Sequence, residues 1–279
     1  MPKPPLLLVD APYFLYRAFF ALPKKIKGKQ GKPVNALLGS VNAILAAADE
    51  HDARAVVCCF GPDAAPYRVE LFDGYHADRE PPPDALDWQW GHAAGLYEAL
   101  GWLVDSDESV EADDLLGSYA TAELAAGGRA LIFTGDRDMF QCARKGVDVL
   151  LAARGGPVLM DAAAVEQRYG VPPVLVPDFI ALRGDPSDGI PGAKGVGEKT
   201  AADILRRYGS LEAALEGASE GTALATQRHQ LVDFKQIATL RALDVQPPPD
   251  NPTDREGGAS AARELGMERL AKRLSEPED

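Results

Sequence analysis

Three sets of acidic residues stand where apolar runs end or helices begin. Asp10 closes the run Leu6–Val9, Glu111-Ala112-Asp113-Asp114 opens a helical stretch, and Asp136 and Asp138 follow the run Ala130–Phe133. Each set has an ordinary explanation when taken alone. Acids at a helix start complement the helix dipole, and Asp in a turn caps local backbone. Glu111 and Asp114 also share one helix face, being one turn apart. Their repetition favours a common purpose, because in an open α/β sheet the crevice beyond the carboxyl ends of the strands collects ligands and catalytic groups. Carboxylates converging there would repel one another at a cost of several kcal/mol unless cations neutralise them. Oxygen ligands without His or Cys suit Mg²⁺ or Mn²⁺ rather than Zn²⁺. Two such ions about 4 Å apart would activate a water and stabilise the leaving oxygen of a phosphodiester.

A second chemical signal lies in the stretch from Leu182 to Leu205. Gly195-Val196-Gly197 makes a tight turn free of bulky side chains, and a helix starting near Glu198 offers free amide N–H groups to a phosphate. Lys194 and Lys199 flank that turn. A GxG alone is weak evidence and suits a plain bend between helices; the flanking lysines and the proline-bounded loop favour phosphate-backbone binding. Asp185 and Asp188, just upstream, are candidates for further metal ligands, although isolated acids in a loop more often cap it.

Positioning these groups requires a sheet. Short Leu- and Val-rich runs at Leu6–Val9, Ala55–Phe60, Ala130–Phe133 and Val147–Leu151 alternate with helical patterns near 35–50, 85–100 and 112–126. That alternation predicts an α/β domain with a largely parallel sheet covered on both faces. After Tyr169 the segment Gly-Val-Pro-Pro breaks the periodicity and only helical patterns follow, which places a boundary near residue 172. The expected parts are therefore 1–172 and 173–279, the second ending in an amphipathic stretch near 265–274. With 279 residues, 46% of them hydrophobic, a full core can be buried. A net charge of −13 excludes a uniform electrostatic binder of nucleic acid, so any such contact must be local. The adjacent Cys58 and Cys59 and the separate Cys142 offer neither a CxxC pair nor an even disulfide framework, which fits a reducing cytosol. No segment reads as a membrane span or signal peptide, so a cytoplasmic location is expected.

With those residues in view, the chain resembles the 5'-3' exonuclease and flap endonuclease family, which includes the N-terminal nuclease domain of bacterial DNA polymerase I and its stand-alone relatives. The matching pieces, in family order, are Leu-Val-Asp10 with Tyr16-Arg17-Ala-Phe, Tyr67-Arg68, Tyr75 to Arg79, Glu111 to Asp114, Thr134-Gly-Asp-Arg-Asp138-Met, and Gly184-Asp-Pro-Ser-Asp188 through Thr200. The resemblance implies a PIN-like nuclease domain plus an all-helical helix-three-turn-helix DNA-binding module. It implies that Asp10, Glu111, Asp113, Asp114, Asp136 and Asp138 serve the metal site, with Asp185 and Asp188 supporting the second ion. Arg17 and Arg79 would meet the scissile phosphate region. A potassium ion would be held by the main-chain carbonyls of Leu182, Arg183, Pro191, Ala193 and Val196. Lys194, Gly195, Val196, Gly197, Glu198, Lys199 and Thr200 would grip the duplex backbone. The implied partner is DNA bearing 5' flaps, nicks or free 5' ends, handled by a monomer.

The chain departs from the family pattern in three places. Phe60-Gly61 stands where Phe-Asp is usual at the end of the second strand, with Asp63 two positions on. His76 stands where a lysine often follows the tyrosine. The stretch from Tyr75 to His92, which forms an arch over single strands in the family, carries Asp78, Glu80, Asp84 and Asp87 against Arg79. Trp88 and Trp90, two residues apart, do not share a helix face, so at most one of them is expected to stack on bases. The lysine-rich loop Lys24–Lys32 is either a solvated loop or a local basic patch. Three readings follow: a metal-dependent 5' nuclease, a structure-specific DNA-binding protein with decayed catalysis, and a Mg²⁺-dependent phosphatase of small molecules. The last leaves the glycine turn unexplained.

Overall fold

The protein is described by a computed structural model over residues 3–276; the expected outer limits at 1 and 279 lie outside the described residues. Six strands form one sheet in the order β3-β2-β1-β4-β5-β6. They are β1 (Leu6–Asp10), β2 (Ala55–Phe60), β3 (Leu103–Ser106), β4 (Ala130–Thr134), β5 (Val147–Ala153) and β6 (Gly156–Met160). The first five run parallel and β6 is antiparallel to β5. Four of these strands coincide with the apolar runs of the sequence. The other two are edge strands: β3 is half-polar, Leu-Val-Asp-Ser, and β6 begins Gly-Pro, so neither carries a continuous apolar signature.

β1 lies at the centre and its residues alternate between two cores. Leu6 and Leu8 enter one, Leu7 and Val9 the other, as the period of two in a strand requires. One face is covered by α1 (Ala11–Ala21), α2 (Asn35–Glu50) and α4 (Asp84–Ala99), the other by α5 (Ala112–Ala125). Two short helices complete the sheet domain: α3 (Pro66–Leu71) and α6 (Ala162–Tyr169), the latter ended by Gly170 at φ 70°.

The stretch 173–279 is expected as one module; its described residues, 173–276, pack in two groups. Helices α7 (Val176–Arg183), α8 (Glu198–Tyr208), α9 (Leu211–Glu216), α10 (Ala223–Thr226) and α11 (Arg228–Ala238) join the core on the α5 side, through Phe179, Leu205, Leu215 and Phe234. Helices α12 (Arg255–Glu264) and α13 (Glu268–Ser275) bury Ala259, Leu270 and Leu274 in the opposite core with Leu100 and Trp102. An extended strap joins the two groups. It runs along α5: Arg241 N–H donates to Asp114, Leu243 N–H donates to Ser118 Oγ, and the Arg54 guanidinium, paired with Glu123, holds the Pro248 carbonyl at 2.8 Å. Polar anchors of such sequence separation leave no periodic trace, which is why the divided packing is invisible in the sequence. Among the described residues no helix is long and apolar enough to cross a membrane.

Candidate active site

Parallel register brings the carboxyl ends of β1, β2 and β4 to one edge, with Asp10 beside Cys59 and Val9 beside Phe133. Beyond that edge lies a cleft of about 1240 Å³, lined by Asp10, Glu111, Asp113, Asp136 and Asp138 and by Asp185 and Asp188 of the hairpin after α7. Acids from four separate stretches of chain therefore face one space.

Each is set by local structure. Asp10 caps α1, accepting the Tyr13 N–H at 3.0 Å, and its other oxygen accepts the Thr134 hydroxyl at 2.6 Å. Asp136 accepts the Asp138 N–H at 2.8 Å, folding the turn after β4. Glu111, at the start of α5, accepts the Ala65 N–H at 2.7 Å and the Tyr75 hydroxyl at 2.9 Å, and pairs with Arg68 at 2.6 Å. Thr134 and Arg68 are orienting residues that sequence reasoning did not single out for that role. Both stand inside the matching pieces of the sequence, but their partners Asp10 and Glu111 are distant in the chain, so the spacing does not show the contacts.

The electrostatics of the cleft are those of crowded anions. Burial raises the Asp113 carboxyl well above the usual range, and Asp136, Asp10 and Glu111 raise it further. Burial does the same to Asp138, reinforced by Asp136, Asp188, Asp185 and Asp113. Asp136 is pushed up to about 7, by burial first and then by Asp188. Asp10 is raised by burial, against the two hydrogen bonds it accepts. Without counter-charge, burial and mutual repulsion favour the protonated form of each of these groups. The donor set is all oxygen and anionic, which fits Mg²⁺ or Mn²⁺. Among the described residues no three His, Cys, Asp or Glu side chains close a cage unaided.

Asp114 differs from the other acids. It is 0% exposed and does not line the cleft. Its oxygens accept the Tyr67 hydroxyl at 3.0 Å, Arg68 at 3.1 Å, the Arg241 N–H at 2.8 Å and the Glu111 N–H at 3.2 Å. Arg68 in turn donates to the Ile237 carbonyl at 3.0 Å, so one buried knot joins Glu111, the end of α11 and the strap. Arg17 is also absent from the cleft lining, and donates to the Ala153 carbonyl at 3.2 Å. Arg79 does line it, held by Asp63 at 2.7 Å and by Asp188 at 3.5 Å.

The departures noted in the sequence have structural counterparts. A Cβ on Gly61 would meet backbone atoms only, Val110 O at 2.6 Å and Ala112 N at 2.7 Å, so the start of α5 occupies the space of a side chain there. Asp63 is 56% exposed and turned to Arg79. His76, at φ 52°, bridges the parts: its N–H donates to the Asp188 carbonyl at 3.1 Å and its Nε2 lies 3.1 Å from Asp188 Oδ1. Trp90 lines the cleft, edge-on to Tyr16 at 5.8 Å, whereas Trp88 packs with His92 and under Lys32.

The hairpin between α7 and α8 turns on glycines with positive φ. Gly184 (φ 84°) and Gly192 (φ 70°) cross so closely that a Cβ on Gly192 would lie 2.4 Å from the Gly184 nitrogen. The Asp185 and Ile190 backbones exchange hydrogen bonds of 2.8 Å. The Leu182 and Ala193 carbonyls accept N–H groups of Ala193 and Val196, while Lys194 N–H donates to Gln227. Gly195 (φ 79°) and Gly197 face open space, and Lys194, Glu198, Lys199 and Thr200 are exposed beside them.

Comparison with known proteins settles the kinship. The N-terminal resolvase-like domain of the 5'-3' exonuclease matches residues 5–170, and its C-terminal SAM fold matches residues 171–250. The chain belongs to the 5'-3' exonuclease family. A 5'-3' exonuclease of Streptomyces coelicolor is 36% identical over 245 residues, covering 81% of this chain and 80% of its own. DNA polymerase I of Mycobacterium leprae is 35% identical over 246 residues, 85% of this chain and 27% of the polymerase. The chain thus spans under a third of the polymerase relatives it matches. Among solved structures, a mutant T5 5'-exonuclease superimposes with TM-score 0.66 at 15% identity, covering 98% of each chain. The catalytic core of Rad2 in complex with a DNA substrate gives 0.62 at 14% identity, covering 98% of this chain and 91% of its own. At those identities the likeness is one of fold: a PIN-like α/β sheet domain with a helical C-terminal part.

Proposed function

We propose that the chain is a divalent-metal-dependent 5' nuclease that hydrolyses DNA phosphodiester bonds at free 5' ends and at 5' flaps or nicks. The observation that carries this is the meeting of Asp10, Glu111, Asp113, Asp136 and Asp138 with Asp185 and Asp188 in one cleft. Small-molecule phosphate hydrolysis would need no open glycine turn beside the cleft, and this chain has one.

In this reading Asp10, Glu111, Asp113, Asp136 and Asp138 hold Mg²⁺ or Mn²⁺, with Asp185 and Asp188 supporting a second ion. When bound, the ions supply an activated water and counter-charge for the leaving oxygen. The protein's own groups do the positioning. Tyr75, Ala65 N–H and Arg68 fix the Glu111 carboxylate, and Asp114 fixes Arg68. Arg79 exchanges its Asp63 partner for a substrate phosphate. Arg17, on the neighbouring helix, contributes charge outside the cleft. Residues Lys194 to Thr200 take the duplex backbone at the N-terminus of α8. The carbonyls of Leu182, Arg183, Pro191, Ala193 and Val196 form the seat for a potassium ion. Recognition rests on backbone and shape, with the sheet domain cutting and the α7–α11 helices holding the duplex. The protein works as a cytoplasmic monomer.

The filled space at Gly61 favours a second reading, DNA binding with reduced or lost catalysis. One panel separates the two: flap, nicked, blunt and single-stranded DNA with Mg²⁺, Mn²⁺ or EDTA. Metal-dependent release of 5' products supports the nuclease. Binding to flap DNA without cutting in either metal supports the second reading.

A further inference from the structure

A smaller hollow of about 320 Å³ lies apart from the carboxylates, lined by Arg168 and Tyr169 of α6, Gly170, and Glu198, Lys199 and Arg206 of α8. Glu198 also lines the main cleft, so the two spaces adjoin. On the cleft side stand Arg137, between Asp136 and Asp138, and Arg183. Tyr169, buried at the hollow, lies within the fields of Arg183, Arg137 and Arg168 as well as that of Asp138. Arg183 is committed to Asp185 at 2.7 Å, and Arg206 pairs with Asp203. Arg137, Arg168 and Lys199 are exposed and have no carboxylate partner among the described residues. In a chain with 42 acids against 29 Lys and Arg, exposed cations lining these two adjoining spaces make the local field attractive to an anion.

We infer that Arg137 and Arg168, with Arg206 released from its exposed pair with Asp203, continue the Lys199 contact as a cationic track, along which one phosphodiester strand runs from the α8 turn to the carboxylate cleft. Two features select a strand over a lone anion. The line of cations starts at free helix N–H groups and a glycine turn open to solvent, and it ends at the metal-binding acids. A single phosphate would fill one end only. None of these arginines belongs to the glycine turn, and α6 comes from the sheet domain, so the track spans both parts of the molecule. The inference rests on the nuclease reading for the identity of the strand.

The test is equilibrium binding of a nicked duplex across a salt series, in Ca²⁺ so that hard oxygen-liganded cations fill the cleft. Each phosphate contact contributes about 0.9 to the slope of log K against log salt. Arg168→Gln with Arg206→Gln should lower the slope by about two contacts' worth, and Arg137→Gln by about one. Arg269→Gln with Lys272→Gln, exposed on α13, changes net charge equally and should leave the slope alone. Cleavage by the Arg168/Arg206 pair should keep its kcat at saturating DNA while KM rises, a split that a folding defect would not produce. If the α6–α8 pair and the α13 pair give the same slope, the track is refuted. If Lys199→Ala lowers the slope and the arginine variants do not, the track is refuted while the nuclease reading stands. Wild-type cleavage of a 5' flap in Mg²⁺ is read separately, and its absence would defeat the nuclease reading itself.

Discussion

Asp114→Ala separates an anchoring carboxylate from a metal-binding one. Asp114 is fully buried and accepts from Tyr67, Arg68, Arg241 N–H and Glu111 N–H. Its removal leaves Arg68, only 3% exposed, as a buried cation with Glu111 as its remaining carboxylate. Breaking a buried pair from one side costs about 3–5 kcal/mol, because the surviving charge stays desolvated. For a chain of this size each kcal/mol moves the midpoint by roughly 2–4 °C, so thermal unfolding should fall by roughly 6–20 °C. The assay is unfolding in EDTA beside Mn²⁺ titration of the folded variant. The anchoring role predicts a large loss of stability even without metal, and cleavage lowered through a displaced Glu111. A variant within about 1 kcal/mol of wild type that no longer binds Mn²⁺ would refute it, making Asp114 a ligand.

The other acids should behave oppositely. Asp136→Ala removes a carboxylate whose neighbours repel it, so cleavage should vanish while the metal-free protein unfolds at the same temperature or higher; a destabilised variant with full turnover would contradict this. Asp113, Asp136 and Asp138 have folded-state values raised above the usual 3.8, so the native state binds more protons than the unfolded chain. Their contribution is fully present below 3.8 and is lost as pH rises through the raised values, about 7 for Asp136. Calorimetry in EDTA should therefore give a lower midpoint at about pH 8 than at about pH 6, with Mg²⁺ raising it most at the higher pH; a flat profile would exclude crowded anions. Gly61→Asp restores the acid usual in the family but puts its Cβ against Val110 and Ala112 backbone at 2.6 and 2.7 Å. Overpacking of that kind costs about 1–3 kcal/mol, so the variant should melt earlier and cut more slowly, and faster cutting would show that the space can open.

The central strands were legible because strands buried on both faces are continuous apolar runs, and Asp10, Asp136 and Asp138 were legible because they follow such runs. β3 and β6, at the edges, lacked that pattern. The glycine turn was readable from backbone demands at Gly195, which adopts φ 79°, whereas Gly197 is extended and the crossing of Gly184 and Gly192 was not foreseen. What the sequence hid was contact between distant segments. The Glu111–Asp114 spacing suggests twin ligands on one helix face, yet Arg68 and the strap draw Asp114 into a buried knot away from the cleft. Asp63, two residues past Gly61, lines the same cleft but is ion-paired with Arg79, a contact with no trace in the spacing. Packing of α12 and α13 against the far core depends on an irregular strap that has no periodicity to read.

The central claim is that carboxylates far apart in sequence jointly hold cations that cut a nucleic-acid strand. Its most direct test is a Mn²⁺ titration of 5'-flap cleavage by the wild-type protein and by Asp10→Asn, Glu111→Gln and Asp138→Asn. Cleavage should require the ion in the wild type and fall by at least about 100-fold in each variant, the loss of roughly 2.7 kcal/mol expected when a group serving the reaction is removed. Cleavage that persists in EDTA, or that survives all three substitutions, would contradict the claim.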